Sequence, residues 1–240
     1  EGAEPFTVFR LAVHDNLSRG FNLIEKGNVM CKLVEVFRVP QKEAAEGYMP
    51  LLGLNPSNTF LADHLSLQNL REEMKHYVYE TGTPISCASR IASYNGGDQE
   101  ALLKFLQHLR PGVNKLREML VNAEEVAALT GEEIAQVLSR EELAGIRDSE
   151  APRPEKIEKA RRALRTMRLP AVSTTEKQIE GLLKSLGLPQ KIAFHLPPYL
   201  EGDTIKLELK FKSAEGLKRL AEKLLEASDS EELKKLCELL

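Results

Sequence analysis

The chain has 240 residues with a formal net charge of −3, and 29% of its residues are charged. This length allows one or two domains with hydrophobic cores, and the lack of a global positive charge means that nucleic-acid binding would depend on local patches. Three widely spaced cysteines exclude a disulfide framework, and no apolar run reaches the ~20 residues of a membrane span.

Residues 6–13 open the sequence with an apolar stretch rich in Val, Thr and Phe. These residue types favour a β-strand. Nothing precedes the stretch that could pair with it, so we expect that the sequence begins partway through a longer protein.

Residues 30–67 predict three short helical segments separated by two breaks. The first ends before Pro40, because the residue before a proline is forced out of the α region. The second ends at Gly53, and the third begins with Asn55 as the N-cap and a proline at the first helical position. This layout predicts a helix-turn-helix in which residues 56–65 face a DNA groove.

The middle of the chain predicts further helices, over residues 67–80, 85–93, 98–109 and 113–129, the third of them capped by Asp98. Two predicted capping boxes follow, Thr130 with Glu133 and Ser139 with Glu142, each starting a short apolar helix. Two prolines in residues 149–154 suggest a boundary. Short, well-capped helices of this kind are typical of a helical linker.

Residues 156–168 predict a basic helix. Seven basic residues from Arg153 to Arg168 face only Glu155 and Glu158. This excess predicts non-specific contact with DNA, and the alternative is an exposed helix stabilised by pairs such as Glu155–Lys159.

The C-terminal part predicts a helix over residues 175–186, strands over 191–196 and 204–212 with a turn at 197–203, and a helix capped by Ser213. A hairpin with two helices is too thin to be stable alone, and its strands have open edges. We therefore predict a homodimer, formed through the apolar residues of the alternating second strand and of the following helix: Ile205, Leu207, Leu209, Phe211, Leu217, Leu220 and Leu224.

Four stretches, in this order, resemble the ParB family of partition proteins. Asp15-Asn16-x-x-Arg19, followed by Ile24 and Glu25, resembles a Glu-Asn-x-x-Arg motif and the Pro-Ile-Glu after it. The helix-turn-helix comes next, and residues 82–90 resemble Gly-x-Leu-Ser-x-x-His-Ala-Arg. Residues 176–225 resemble the family's C-terminal dimerisation domain.

The resemblance implies a mainly α protein with a small α+β module at its C-terminus. Its expected domains are the end of a truncated N-terminal domain (1–20), a helix-turn-helix domain (21–128), a helical linker with the basic helix (129–172) and a dimerisation domain (173–240). It implies a DNA-binding homodimer that acts in chromosome or plasmid partition and is cytoplasmic and nucleoid-associated. A ParA-type ATPase is the implied partner, and CTP with magnesium is implied for the full-length family.

The side chains that we predict to contact DNA are Ser57, Asn58, Thr59, His64, Arg71, Lys75, Arg90, Lys159, Arg162 and Arg165. Helix capping by the first three and plain surface charge for the basic ones are the alternatives. Residues 54–67 contain no Lys or Arg, although phosphate neutralisation supplies most DNA affinity. The lack of basic residues and the eight-residue spacing between Ala45 and Gly53 both depart from the family's pattern. They predict a divergent helix-turn-helix that binds DNA weakly or has a role without DNA.

Asp15, Asn16 and Arg19 match the family's nucleotide-contacting motif, and a capped turn is the alternative. We identify no catalytic or metal-ligating residue in the sequence. Two other functions stay open: a DNA-binding regulator or nucleoid-occlusion relative with the same modules, and a protein-interaction scaffold that has lost DNA reading.

Overall fold

The computed structural model describes residues 4–197, 202 and 204–239, without the side chains of residues 171 and 173. The chain divides into two compact units, Glu1–Leu164 and Arg165–Leu240. The described residues are mainly helical with one small antiparallel sheet, which confirms the predicted fold class at this level. None of the described helices combines the length and apolar character needed to cross a membrane.

The first unit contains helices only, within the described residues. Its helices are α1 Pro5–Asn16, α2 Leu23–Cys31, α3 Gln41–Glu43, α4 Asn58–Ser66, α5 Glu72–Thr81, α6 Ile85–Ala92, α7 Gly96–Leu109, α8 Val113–Thr130, α9 Ile134–Ser139, α10 Glu141–Asp148 and α11 Arg153–Arg168. The division between the units falls within α11, rather than at residues 149–154 or after residue 172.

The predicted N-terminal strand is wrong, because residues 6–13 lie in α1. Phe6, Phe9 and Val13 recur at three- and four-residue spacing and therefore share one face of a helix. The rings of Phe6 and Phe9 lie 5.1 and 4.9 Å from the ring of Phe37. Packing against the next helical segment thus outweighs the β propensity of the stretch.

The first two helical segments predicted within residues 30–67 are present, with irregular turns. α2 continues into a π-helical turn, Lys32–Val36, and α3 continues through a second π turn, Ala44–Tyr48, and a 3₁₀ turn, Pro50–Leu52. Gly53 follows with φ +69°, a left-handed conformation that glycine adopts without strain. The π and 3₁₀ turns account for the long spacing before this glycine.

The third helix, α4, starts two residues later than predicted. Ser57 precedes its first residue, so the predicted cap at Asn55 and the first-position proline are wrong. α4 packs closely on α2 at Gly27, where a Cβ atom would lie only 3.0 Å from the His64 carbonyl oxygen. A side chain at residue 27 would therefore press against α4, which glycine avoids.

His64 does not belong to the exposed surface of α4, which corrects its prediction as a DNA contact. Its side chain is 1% exposed, and its Nδ1 lies 2.7 Å from the carbonyl oxygen of Phe60. A carbonyl can only accept, so Nδ1 carries the proton in this bond. The imidazole is therefore a core group, and its buried Nε2 has no hydrogen-bond partner among the described residues.

The predicted caps of the later helices are also corrected. Asn95 rather than Asp98 caps α7, since its Oδ1 accepts the Asp98 backbone N–H at 2.8 Å. Neither predicted capping box forms, because the hydroxyls of Thr130 and Ser139 donate to carbonyl oxygens within their own helices. At the start of α9 the Gln136 side chain accepts the Glu133 backbone N–H at 2.8 Å, whereas α10 begins after Arg140 without a side-chain cap.

The helices that we predicted as a linker belong to the core of the first unit. α9 packs against α7 and α8, and Val137 and Leu143 are fully buried. The Asp98 carboxylate accepts the Ala135 backbone N–H at 2.7 Å, which ties α7 to the first turn of α9.

The second unit has the predicted order of helix, two strands and helix. Its elements are α12 Pro170–Ser185, β1 Ile192–His195, β2 Lys206–Leu209, α13 Ala214–Ser228 and α14 Glu231–Glu238. The strands pair antiparallel, with Ile192 opposite Leu209, and β2 is shorter than predicted. Ser213 caps α13 as predicted. The predicted turn at 197–203 lies largely outside the described residues.

Arg38 follows the π-helical turn Lys32–Val36 with φ +56°, an uncommon conformation for a residue with a Cβ atom. Its ion pair with Glu35 spans 3.7 Å at the exposed surface and contributes little. We therefore expect Arg38→Gly to raise the free energy of unfolding by up to about 1 kcal/mol, because glycine removes the Cβ strain. Urea unfolding checks this, and a lower midpoint for the variant would contradict it.

Candidate nucleic-acid interface

The N-terminal half of α4 presents a small, uncharged surface. Asn58, Thr59 and Ala62 are exposed, while Ser57 and Asp63 are half-buried. α4 packs against α2 and α6 with its other side, where Leu61 is buried. The structure thus places the first three predicted base-contacting residues together at the start of one helix.

A polar groove of about 780 Å³ runs beside α4, between α4, α6 and α8. Its lining residues are Ala62, Asp63, Ser66, Ser86, Ser89, Arg90, Ser93, Tyr94 and Glu124. Arg90 is the one basic side chain among them in the described part of the chain. The structure therefore brings this predicted phosphate contact next to α4.

Glu124 of α8 holds two side chains of this groove. Its Oε1 lies 3.4 Å from the Arg90 Nε, and the Tyr94 hydroxyl donates a hydrogen bond to the same oxygen. Arg90 is one positive charge against two carboxylates, Asp63 and Glu124, so the lining residues together are slightly acidic. Sequence reasoning missed Glu124, because it is 34 positions after Arg90 and no local pattern links the two.

Tyr94 makes the stability of the first unit sensitive to alkaline pH. Burial, together with the hydrogen bond to the Glu124 carboxylate, raises the pKa of the Tyr94 hydroxyl. Because the Tyr94 hydroxyl has a higher pKa in the folded protein than the value of about 10 in the unfolded chain, it contributes stability below about pH 10. This contribution is lost as the pH rises above that value.

We expect Tyr94→Phe to lose less stability than the wild-type protein between about pH 8 and pH 10.5, because phenylalanine has no hydroxyl to ionise. The measurement is the urea midpoint of both proteins at the two pH values. Equal losses in both would contradict the role of this hydroxyl.

Two other predicted phosphate contacts are engaged in ion pairs. Arg71 lies 3.7 Å from both Glu73 and Glu100, and Lys75 lies 2.7 Å from Glu72. These pairs lower the net charge that α5 offers to a phosphate backbone.

Several basic side chains of α11 are also paired with carboxylates. Lys159 pairs with Glu155, and Arg165 with Glu176 of α12, each at 2.7 Å. Arg161 pairs with Glu118 of α8 and with Glu158. Among the predicted contacts on this helix, Arg162 is exposed and makes no ion pair with a described residue. The positive charge of the helix is therefore smaller than the sequence predicts.

The predicted nucleotide motif forms the corner between α1 and α2. The Arg19 guanidinium donates to Asn16 Oδ1 at 3.2 Å and to Glu25 at 3.1 Å, and Asn16 donates to the Ala12 carbonyl oxygen at 2.8 Å. The hydrogen bond from the Asn22 backbone N–H lowers the pKa of the Glu25 carboxyl, and the Arg19 guanidinium lowers it further. The polar groups of this corner form hydrogen bonds with one another, and the side chain of Asp15 is exposed.

The predicted dimer residues differ in exposure within their own unit. Leu207, Phe211 and Leu217 are 50%, 51% and 36% exposed, and Ile205, Leu209 and Leu224 are half-buried. Leu220 is buried inside the unit, which corrects its prediction as an interface residue. The exposed members leave an apolar surface on β2 and α13.

The described residues contain no group of three or more His, Cys, Asp or Glu side chains placed to hold a metal ion. No protein-family model and no curated protein matches the sequence, and no solved structure matches the fold.

Proposed function

We propose that this chain is a ParB-like protein that binds double-stranded DNA as a homodimer and acts in chromosome or plasmid partition. In this proposal α4 enters the major groove, α6 lies along the phosphate backbone, and the C-terminal unit holds two copies together. A ParA-type ATPase is the partner that the resemblance implies.

The observation that carries the proposal is the arrangement of three consecutive helices, as expected for a helix-turn-helix. α2 and α3 are followed by a left-handed glycine and by α4, whose first turn exposes Asn58 and Thr59. Amide and hydroxyl side chains at the start of a recognition helix are suited to reading base edges in the major groove.

The proposal assigns no CTP to Asp15, Asn16 and Arg19. Arg19 is already bound to Glu25 and Asn16, and no phosphate-binding loop is present in the sequence. The nucleotide role of Asp15, Asn16 and Arg19 stays a prediction from the resemblance, and the proposed DNA binding does not depend on it.

Asn58→Ala tests the assigned reading surface. The variant should weaken binding to a preferred duplex about 5- to 150-fold, because a well-placed amide–base contact is worth about 1–3 kcal/mol. Ser57, and not Asn58, precedes the helix, so no helix cap is lost. Fluorescence anisotropy with duplexes selected from a random pool measures the affinities.

Asn114→Ala is the matched control, since Asn114 is an exposed asparagine of α8 outside the groove. Equal affinities for the wild-type protein and both variants would remove α4 as the reading helix.

A protein-interaction scaffold is the second candidate function. It is favoured by an apolar groove of about 550 Å³ between α1 and the extended turn after α3. Leu11 and Leu51 line it and are 58% and 55% exposed. Failure to bind any duplex at low salt would favour this function over the DNA-binding one.

A further inference from the structure

The groove beside α4 combines hydrogen-bond donors with very little usable charge. Ser86 lies three and four residues before Ser89 and Arg90, so these three side chains share one side of α6. The Ser93 hydroxyl, just after the helix, already donates to the Arg90 carbonyl oxygen at 2.7 Å. Hydroxyl groups can donate hydrogen bonds to phosphate oxygens without releasing the counterions of the DNA. An arginine also donates hydrogen bonds, but its positive charge displaces counterions as well.

Glu124 decides how much of the Arg90 charge is available. Its carboxylate contacts the guanidinium through Nε at 3.4 Å, and both side chains are partly shielded, being 29% and 38% exposed. The charged side chains that line the groove are Asp63 from α4, Arg90 from α6 and Glu124 from α8. A phosphate that approaches Arg90 therefore also approaches a carboxylate bound to it.

We propose that Glu124 sets the strength and the salt dependence of DNA binding by neutralising Arg90. This inference rests on the proposed function. Duplex DNA then binds this surface mainly through amide and hydroxyl contacts, and few counterions are released. Glu124 is a positioning residue. It acts on DNA binding through Arg90 and does not contact DNA itself.

Glu124→Gln tests the inference. The amide keeps an oxygen that accepts the Tyr94 hydroxyl, so the local fold is retained, while the negative charge is lost. We expect binding to become on the order of tenfold tighter at about 50 mM salt. The slope of log K against log salt concentration should become steeper by about 1, because one more phosphate is neutralised.

Glu125→Gln is the control for net charge, since the same helix loses one carboxylate at a residue that does not line the groove. Arg90→Gln and the double variant that combines Arg90→Gln with Glu124→Gln complete a double-mutant cycle. Arg90→Gln alone should change the salt slope little, and the double variant should return to the wild-type slope. Anisotropy titrations of one duplex over a range of salt concentrations supply all the slopes.

The outcomes separate the two proposals. A steeper slope for Glu124→Gln that disappears in the double variant supports the inference. Wild-type binding with equal effects of Glu124→Gln and Glu125→Gln overturns the inference and leaves the proposed function standing. No binding by the wild-type protein or by Glu124→Gln at low salt overturns both.

Discussion

Gln99→Met is expected to lower the free energy of unfolding by about 3 kcal/mol, a large share of the 5–15 kcal/mol typical of a domain. Gln99 is 2% exposed. Its Nε2 donates to the carbonyl oxygens of Asn69 and Tyr94, each at 3.0 Å, and its Oε1 accepts the Arg71 backbone N–H at 2.9 Å. Methionine fills a similar volume but leaves these three backbone groups without a partner.

The position of this amide gives it a role in the candidate interface. It fixes α7 to the segment after α4 and to the segment after α6, the two helices that flank the groove. Gln107→Met is the matched control, because Gln107 lies on the same helix and is exposed. Denaturant unfolding measures both variants. Loss of less than about 1 kcal/mol for Gln99→Met would show that water replaces the amide.

If the chain forms the proposed homodimer, Leu225→Glu is expected to turn it into a monomer at micromolar concentration. Leu225 is 71% exposed in its own unit, so a single copy loses little by the change. It lies on α13 eight residues after Leu217, which is also exposed. Burying a leucine contributes about 2 kcal/mol, and a two-fold dimer contains each leucine twice, so the dissociation constant should rise about a thousandfold.

Arg219→Glu is the control, because it makes a larger charge change on a different side of α13. Sedimentation velocity over a range of concentrations reports the assembly. If Leu225→Glu remains a dimer, or if both variants dissociate equally, the apolar surface of α13 is not the interface.

The C-terminal hairpin shows what a sequence pattern predicts well. Residues 204–212 alternate strictly between apolar and polar side chains, and only an extended chain places them on two faces. The structure confirms a strand there, but shorter, since the pairing with β1 covers Lys206–Leu209. The pattern fixes the type of element, while its length depends on the partner strand.

α1 shows why a local pattern can mislead. Val, Thr and Phe favour strands only when a neighbouring strand is present, and here Phe37 offers a packing partner to a helix instead. His64 was misplaced for a related reason. Its burial depends on the close approach of α2 and α4 at Gly27, a contact between residues distant in the sequence.

The candidate site was predicted only in part. Asn58, Thr59 and Arg90 could be selected by residue type and by position near the helix-turn-helix. Some of the carboxylates that pair with the basic residues come from other helices, as Glu124 does for Arg90, and others lie on the same helix, as Glu72 does for Lys75. Sequence reasoning therefore overestimated the free positive charge, above all on α11.

The most direct test of the central proposal is an anisotropy titration of a labelled duplex at about 50 mM salt, with the stoichiometry read from the equivalence point. We predict saturable binding of two chains per duplex. An unchanged anisotropy at the highest protein concentration, for random and palindromic duplexes alike, would contradict DNA binding by this chain.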